Sequence, residues 1–507
     1  MKKLYIILSI VGLLACTSCK DFLDVKPTNQ ADASQSITSP RDAKVMLNGL
    51  YNAMTTSSFY GRNFILYGDA KGGDLTIQSN GRGYDYMFAY KHYANSYSMS
   101  GFWSTGYNMI MLCNNIIECI DAIPAEDPDK ASGEYDSYYG QAMTIRAMIH
   151  YDLCRLYGKC YNDNKASYGV PVVQESLTAD AQPLRESVET VYKAVLADLD
   201  KAAGYLEDDT DAKVGYMNYY TNRAIKARVC MDMENWSEAL ALADMIIDCG
   251  EYELYDQTNW ADSWAKQGGS ESIFELAMCV NEGDLGTTSC IGAQYVLGGG
   301  NGRNNQIFMA SHYWIDLMGD YAAGNDVRWD VMGIDQIDED NIAAAKPGEE
   351  VKLRMGSCWK YLGGLAGSGD GKASSSAVNV KLIRLSEMYF IAAEAALMNG
   401  DKKTAALYLN EIAANRYKIS APEITEGNIT RKMILDEKDK EFLGEGLRFW
   451  DLIRTNSTIY MDDETPDVKV TDRESVLDRS FYKCILPIDK DEINANPGLG
   501  AQQNPGY

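Results

Sequence analysis

Histidine is scarce in this chain, with three residues among 507. His92, His150 and His312 lie far apart, so there is neither an H-E-x-x-H motif nor an i,i+4 histidine pair. Runs of lysine and arginine are absent too, and the net charge is −25. An acidic surface repels the phosphates of nucleic acids. We therefore expect no metal, no cofactor and no nucleic-acid partner.

Signatures of other catalytic classes are incomplete. The stretch "AGSGDGKASS" resembles a phosphate-binding loop, but Ala366 stands in place of its first glycine. Ala373 likewise replaces the hydroxyl residue that binds Mg²⁺, so we interpret this stretch as a flexible loop. The G-x-S-x-G elbow of the serine hydrolases does not occur.

Carboxylates are plentiful, and a glycoside hydrolase needs only two of them. The densest group lies in "LDEKDKEFLGEGLRFWDLIRTN", where Glu437, Glu441 and Glu445 follow one another at i,i+4. A retaining glycosidase needs two carboxyls about 5 Å apart on opposite sides of a sugar, whereas neighbours on one helix point the same way. Arg448 and Arg454 each follow a carboxylate by three positions. We interpret the pattern as a structural ladder of charges along a helix face.

The N-terminal stretch "LLACTSCKDFLDV" determines the expected location. Lys2 and Lys3 precede an apolar run over residues 4 to 15, which is typical of a secretory signal peptide. No second C-x-x-C follows, which argues against a redox or zinc motif. Two apolar residues, one small residue and then Cys16 form the pattern of a bacterial lipobox. Cys19 also has small residues before it. One of these two cysteines is expected to carry a lipid anchor, and the motif favours Cys16.

Ten cysteines lie beyond this pair. Cys113 and Cys119 are six positions apart in a helical pattern and so project from different faces. We interpret most of the ten as buried free thiols.

Apolar periodicity indicates an all-α fold. Ser39 and Pro40 read as the N-cap and first residue of a helix. Two stretches of about 34 residues, "TNRAIKARVCMDMENWSEALALADMIIDCGEY" and "RLSEMYFIAAEAALMNGDKKTAALYLNEIAANR", each predict two helices joined by a short turn, with alanine at the closest approach. This is the signature of tetratricopeptide-like repeats. Residues 280 to 306, 335 to 378 and 456 to 507 read as large loops.

These features predict one body after a processed terminus. We assign residues 1 to 19 to the signal peptide and lipobox and residues 20 to 38 to a tether. Residues 39 to 507 form a single helical body, with an N-terminal part over 39 to 265 and a C-terminal part over 266 to 507.

Tyrosine is the abundant aromatic, with 34 residues, and its flat face and polar tip suit stacking on sugars or peptides. The stretch "GYDYMFAYKHYANSYSMSGFW" lacks helical regularity, so we expect some of its rings on an exposed loop. Polar residues just upstream can supply hydrogen bonds to hydroxyls. The candidate ligand-binding residues here are Asp69, Asp74, Arg82, Tyr84, Tyr86 and Tyr90.

A glycine-rich stretch, "AQYVLGGGNGRNNQIF", supplies a second candidate region. It contributes Tyr295, Arg303 and Asn304, and Trp314 follows it. The alternative for both regions is that the aromatic rings cap the helical core.

Five segments, spread from the anchor to the last residue, resemble the SusD/RagB family of outer-membrane nutrient-binding lipoproteins. They are "CKDFLD", "RAMIHYDLCRLYG", "RLSEMYFIAAEAAL", "EFLGEGLRFWDLIRT" and "LPIDKDEINANPGLGAQQNPGY". The fourth segment departs from the family at Leu447, where histidine is usual, and Lys438 stands where arginine often occurs. The first segment has the family's spacing from the anchor, which favours Cys19 over Cys16.

The resemblance implies four tetratricopeptide-like units that support variable loops. It also implies a non-catalytic, surface-exposed lipoprotein that captures oligosaccharide or polysaccharide for a TonB-dependent, SusC-like transporter in the outer membrane. The alternatives are a peptide-binding component of a similar uptake complex, a protein-interaction scaffold and a glycoside hydrolase. The acidic net charge favours neutral or basic ligands.

Overall fold

The computed structural model describes residues 37–77, 83–94, 101–279, 285–286, 288–295, 307–333, 344, 346, 356–361, 377–463 and 468–507. The α-helices of these residues are α1 (Pro40–Met54), α2 (Asn63–Ala70), α3 (Tyr84–Phe88), α4 (Phe102–Ala122), α5 (Pro128–Ala131), α6 (Asp136–Tyr157), α7 (Tyr161–Asn164), α8 (Val188–Tyr205), α9 (Tyr219–Asp232), α10 (Trp236–Ile247), α11 (Trp260–Ser263), α12 (Gly292–Tyr295), α13 (His312–Met318), α14 (Leu385–Met398), α15 (Lys402–Arg416), α16 (Arg431–Phe442), α17 (Arg448–Thr455) and α18 (Lys490–Ala495).

The strands are short and pair two by two in antiparallel ribbons, β1 with β3, β2 with β6, β4 with β5 and β7 with β8. Their bounds are β1 (Leu75–Ile77), β2 (Ser272–Leu276), β3 (Phe308–Ala310), β4 (Met332–Gly333), β5 (Ser357–Cys358), β6 (Val380–Arg384), β7 (Ile459–Tyr460) and β8 (Val476–Leu477). The predicted all-α class is confirmed, and the ribbons are a small addition to it.

Helix α1 begins where the sequence predicts. Ser39 is its N-cap with extended backbone, Pro40 is its first residue, and the Asp42 N–H donates to Ser39 Oγ (3.4 Å). Ile37 is already buried, so packing begins inside the segment assigned to the tether.

We expect Ser39→Ala to lower the free energy of unfolding by about 1 kcal/mol, because the substitution removes an acceptor for the first helical turn. Urea unfolding followed by circular dichroism measures the loss. Ser39→Thr keeps the hydroxyl and should retain most of the stability; an equal loss in both variants would contradict the capping role.

The two predicted repeats are helix pairs. The first is α9 with α10 and the second is α14 with α15, and α10 packs against α14 between them. Helices α4, α6 and α8 form a second packed group. Alanines are buried where the helices meet, Ala224 and Ala239 in the first pair and Ala395 and Ala405 in the second. Small side chains let the helix axes approach, as the sequence indicates.

The last part of the chain docks on the helical body. The Leu486 N–H donates to Leu156 O (2.8 Å), and the Arg185 guanidinium donates to Asn504 Oδ1 (3.0 Å). The sequence predicts a large loop over residues 456 to 507, but this segment contains β7, β8 and α18. Its described residues pack against α6 and the segment before α8.

The predicted ladder of charges is a buried network. Glu441 accepts from Arg416 Nε (2.8 Å) and Arg384 Nη1 (3.0 Å), and Glu445 accepts from Arg384 Nε (2.8 Å). Arg448 contacts Asp439 (3.1 Å) and not Glu445. The interpretation as a structural ladder holds for Arg454, which pairs with Asp451 three positions earlier (2.7 Å). The partners of Glu441 and Glu445 are not local, because β6 and α15 supply Arg384 and Arg416.

The described cysteines beyond the N-terminal pair are free thiols. Seven of these ten are buried and the other three are partly buried, which confirms the interpretation from the sequence. Within the described part of the chain, no helix combines the length and apolar character needed to cross a membrane.

Candidate functional site

A surface beside α3 carries outward-facing tyrosines. Tyr90, two residues after the end of α3, takes a left-handed backbone conformation (φ 56°). The side chains then alternate: Tyr90 and His92 are buried, while Lys91 is half-buried and Tyr93 is exposed. This alternation is the period of extended backbone. It places one face of the segment in the core and the other in solvent.

A buried lysine fixes the segment from below. Lys71 Nζ lies 2.7 Å from His92 Nε2 and donates to Lys483 O (3.1 Å). It also lies 3.5 Å from the centre of the Tyr90 ring. Burial lowers the pKa of Lys71 well below its ordinary value, and burial followed by the charge of Lys71 does the same to the pKa of His92. Lys71 therefore joins the segment after α3 to the segment around Lys483.

Three rings form what we call the tyrosine platform: Tyr86, Tyr93 and Tyr482. Their side chains are 42%, 47% and 41% exposed. Tyr482 comes from the C-terminal segment, nearly four hundred positions after the other two in the sequence. Exposed large aromatic rings grouped on one surface are unusual in a soluble protein and mark a candidate contact surface.

Charged side chains connect the three rings. Lys91 Nζ lies 6.0 Å from the centre of the Tyr86 ring and 3.7 Å from Asp472 Oδ2. Tyr93 Oη donates to Asp472 Oδ1 (2.7 Å), and Lys483 Nζ lies 4.6 Å from the Tyr93 ring and 5.7 Å from the Tyr482 ring. The hydrogen bond to Asp472 raises the pKa of Tyr93 to about 12. The platform thus offers apolar faces next to donors and acceptors.

The other tyrosines predicted near α3 are buried. Tyr84 packs edge-on against Phe308, with ring centres 5.9 Å apart. Tyr90 Oη donates to Lys71 O (2.8 Å). The expected exposure is found at Tyr86 and not at these two, because α3 turns one face toward β3 and α2.

Two candidates from different regions meet in the interior. Tyr295 Oη donates to Asp69 Oδ2 (3.0 Å), and the Gly446 N–H donates to Asp69 Oδ1 (2.8 Å). Both side chains are fully buried. Burial raises the pKa of Asp69 to about 8, against the opposing effect of the two donors. This pair ties α2 to α12 and presents no surface to a ligand.

The remaining described candidates are buried as well. Asp74 Oδ1 lies 3.4 Å from Arg448 Nε, and burial raises the pKa of Asp74 well above its ordinary value. Trp314 Nε1 donates to Asp439 O (3.3 Å), and its ring packs edge-on against Trp329. Both therefore hold α13 and β1 against α16 and α17.

Five predicted residues lie outside the described residues. They are Arg82, Arg303 and Asn304 of the two candidate loops and the anchor candidates Cys16 and Cys19.

Sequence reasoning did not select the platform residues Tyr93 and Tyr482, or the exposed Trp359. Tyr482 lies in "FYKC" and Trp359 in "SCWKY", neither of which differs in pattern from a buried aromatic. Trp359 is 40% exposed and its indole lies over Gly333, where an added Cβ would sit 2.2 Å from Nε1. Within the described residues, no group of three or more histidine, cysteine or acidic side chains could hold a metal ion.

The helix pairs define a helical-repeat protein, and the tyrosine platform is a candidate contact surface on it. Two family models match the chain: one described as the SusD family over residues 340–507, and one described as starch-binding associating with the outer membrane over residues 21–229. The chain belongs to the SusD/RagB family.

Relatives and solved structures agree with this assignment. The SusD-like protein P38 of Formosa agariphila is 23% identical over 505 residues, covering 90% of this chain and 91% of the relative. A SusD superfamily protein of Bacteroides thetaiotaomicron superposes with a TM-score of 0.80 at 27% identity, over 92% of this chain and 100% of that one. A protein of Bacteroides vulgatus described as a putative sugar-binding protein gives 0.79 at 27% identity, over 93% and 99%.

Proposed function

We propose that this protein is a cell-surface glycan-binding lipoprotein, anchored to the outer membrane through Cys16 or Cys19. It captures oligosaccharide or polysaccharide and delivers it, without catalysis, to a TonB-dependent, SusC-like transporter. The observation that carries the proposal is the tyrosine platform on a chain of the SusD/RagB family. The match to a family model described as starch-binding, and the likeness to a solved protein described as sugar-binding, support a sugar as the ligand class.

The chemistry of the platform suits a pyranose. The C–H groups of a sugar ring pack on the faces of aromatic side chains, while the sugar hydroxyls need hydrogen-bonding partners close to those faces. Asp472 accepts and Lys91 donates within the contacts that link Tyr86 to Tyr93. A sugar that lies across the rings can therefore satisfy its hydroxyls at the edge of the platform.

The arrangement of carboxylates favours binding over hydrolysis. Glu437, Glu441 and Glu445, the residues with the strongest resemblance to a glycosidase set, are buried and paired with basic side chains. A carboxylate held in such pairs has no route to a glycosidic bond. Release of reducing ends by the purified protein would overturn this part of the proposal.

Loss of platform rings should weaken glycan binding. We expect Tyr86→Ala, Tyr93→Ala or Tyr482→Ala to reduce the affinity for the captured polysaccharide by about fivefold each, roughly 1 kcal/mol. Affinity electrophoresis of residues 20 to 507 against a panel of polysaccharides identifies the ligand and measures each loss. Tyr93→Phe keeps the ring but loses the bond to Asp472, so it should retain more affinity than Tyr93→Ala.

Tyr168 provides the matched control, because it is 46% exposed in the segment before α8. Tyr168→Ala should bind like the unaltered protein. Unchanged binding in all three platform variants would remove the platform from the proposal, and binding of peptides with no binding of any glycan would favour the peptide-binding alternative.

A further inference from the structure

A cavity of about 140 Å³ opens beside Tyr482, at the edge of the tyrosine platform. It lies between α7, the end of α17 and the C-terminal segment, and its wall includes Phe481, Tyr482 and Pro505. The aromatic wall is therefore shared between the cavity and the platform. A molecule held on Tyr482 can reach into the cavity.

The charged residues of the wall are Lys159, Asp163 and Arg479. Asp163 lies between the two cations, with Oδ2 3.4 Å from Lys159 Nζ and Oδ1 3.7 Å from Arg479 Nε. Within the wall one carboxylate thus faces two cations, in a chain whose net charge is −25. Asp478, just outside the wall, accepts from the Ser480 N–H (2.8 Å). Hydrogen bonds from Ser480, and then the charge of Arg479, lower the pKa of Asp478, so this second carboxylate adjoins the basic side of the cavity.

The Arg479 side chain is held in place and still has N–H groups that can donate hydrogen bonds to a ligand. Its Nη1 donates to Asn162 Oδ1 (2.8 Å) and Ile453 O (3.4 Å), which fixes the guanidinium against α7 and α17. Within the described residues its Nη2 makes no hydrogen bond. A fixed guanidinium with free N–H groups matches the planar geometry of a carboxylate or the oxygens of a sulfate. Lys159, with 44% of its side chain exposed, adds a second and more mobile donor.

A second cavity has an acidic wall, so the excess of basic side chains is a local feature of the cavity beside Tyr482. An open trough of about 660 Å³ lies where the start of α6 meets the end of α8. Its wall carries six carboxylates and two lysines: Glu134, Asp136, Glu207, Asp208, Asp209, Asp211, Lys44 and Lys213. The wall of the trough is acidic, as the whole chain is. The wall of the cavity next to the platform has more basic than acidic side chains.

We propose that the cavity beside Tyr482 is a subsite for an anionic substituent, a carboxylate or a sulfate ester, on the glycan bound by the platform. The proposal rests on the proposed glycan-binding function and specifies its substrate class. The volume of the cavity suits one substituent together with part of its sugar ring. The platform therefore binds the glycan backbone, and the cavity binds the charged substituent. The acidic net charge favours neutral ligands, but the local charge at the binding surface governs the contact.

The test compares polymers that share a backbone and differ in charge. We would measure binding of the chain from residue 20 to 507 to dextran, carboxymethyl dextran and dextran sulfate, and to hydroxyethyl cellulose, carboxymethyl cellulose and cellulose sulfate. The expected result is about tenfold tighter binding of the charged member of at least one set, weakening as ionic strength rises. The carboxylated and sulfated arms distinguish the two sources of charge.

Variants connect the preference to the cavity. Arg479→Gln and Lys159→Gln should each abolish most of the preference for the charged polymer and leave binding of its neutral partner unchanged. Lys159 pairs with Asp163 alone among the described residues, so its substitution keeps the proposal testable if Arg479→Gln misfolds. Lys432→Gln, at a side chain 78% exposed on α16, makes the same change in net charge and should have no effect.

The outcomes separate this proposal from the one it rests on. Equal binding of neutral and charged partners, or a preference that survives both variants, overturns the anionic subsite while glycan binding stands. Failure to bind any polymer of these sets or of the wider panel overturns glycan binding itself, and the subsite with it.

Discussion

Replacing Glu441 by glutamine should lower the free energy of unfolding by about 3–5 kcal/mol, because it leaves buried guanidinium groups without their counter-charge. Glu441 has no exposed surface and accepts from Arg384, Arg416 and Trp260 Nε1. Glu271 and Glu445 complete the acidic side of the cluster, and Lys360 is its third base. Arg328 also lies 3.9 Å from Glu441 Oε2, and Asp326 and Glu437 pair with it. Loss of the Glu441 charge therefore leaves Arg384 and Arg416 with less counter-charge inside the protein.

The effect should depend on pH in a defined direction. Burial raises the pKa of Glu441, but the guanidinium groups of Arg416 and Arg384 outweigh burial and hold the pKa well below its ordinary value. A depressed folded-state pKa gives stability that is present above the unfolded value, about 4.3, and is lost as pH falls below it. The difference between the two proteins should therefore be largest near neutral pH and shrink in acid.

Urea unfolding followed by tryptophan fluorescence measures this loss without adding salt. Glu411→Gln is the matched control, since Glu411 is an exposed residue of α15, the helix that carries Arg416. If the two variants have the same midpoint at pH 7, the cluster contributes nothing to stability and the prediction is wrong.

The same cluster shows where local sequence stops being informative. The i,i+4 spacing of Glu437, Glu441 and Glu445 correctly indicates a helix, and α16 contains the first two. The spacing cannot reveal that β6 and α15 bring Arg384 and Arg416 onto that helix. Charge patterns identify neighbours on one element, whereas burial of the charges depends on elements that join only in the folded chain.

The candidate site is likewise only partly predictable from the sequence. Tyr86 and Tyr93 lie in one aromatic-rich segment that the sequence singles out, although Tyr93 was not chosen within it. Burial of Tyr90 follows from its contact with Lys71, a residue with no distinguishing motif. Tyr482 joins the platform because Lys71 bonds both His92 and the backbone of Lys483. Helical periodicity predicts the scaffold well, but a surface built from two distant segments has no sequence period.

Asp69 should make the protein less stable as pH rises. Burial raises its pKa to about 8, while the unfolded value is about 3.9. Between these values the folded state binds a proton that the unfolded state has released, so stability falls with rising pH by at most about 1.4 kcal/mol per unit. Asp69→Asn removes this dependence. Relative to the unaltered protein, the variant should gain about 4 kcal/mol between pH 5 and pH 9.

Urea unfolding at several pH values checks this, and parallel pH curves for the two proteins would contradict it. Tyr295→Phe keeps the acid but removes a donor to its charged form, so its stability should keep falling to a higher pH than in the unaltered protein. The same variants decide between two roles for this pair. If Asp69 and Tyr295 hold α2 to α12, folded Asp69→Asn retains full glycan affinity at fixed pH. Lost affinity with unchanged stability would instead restore both residues as ligand contacts.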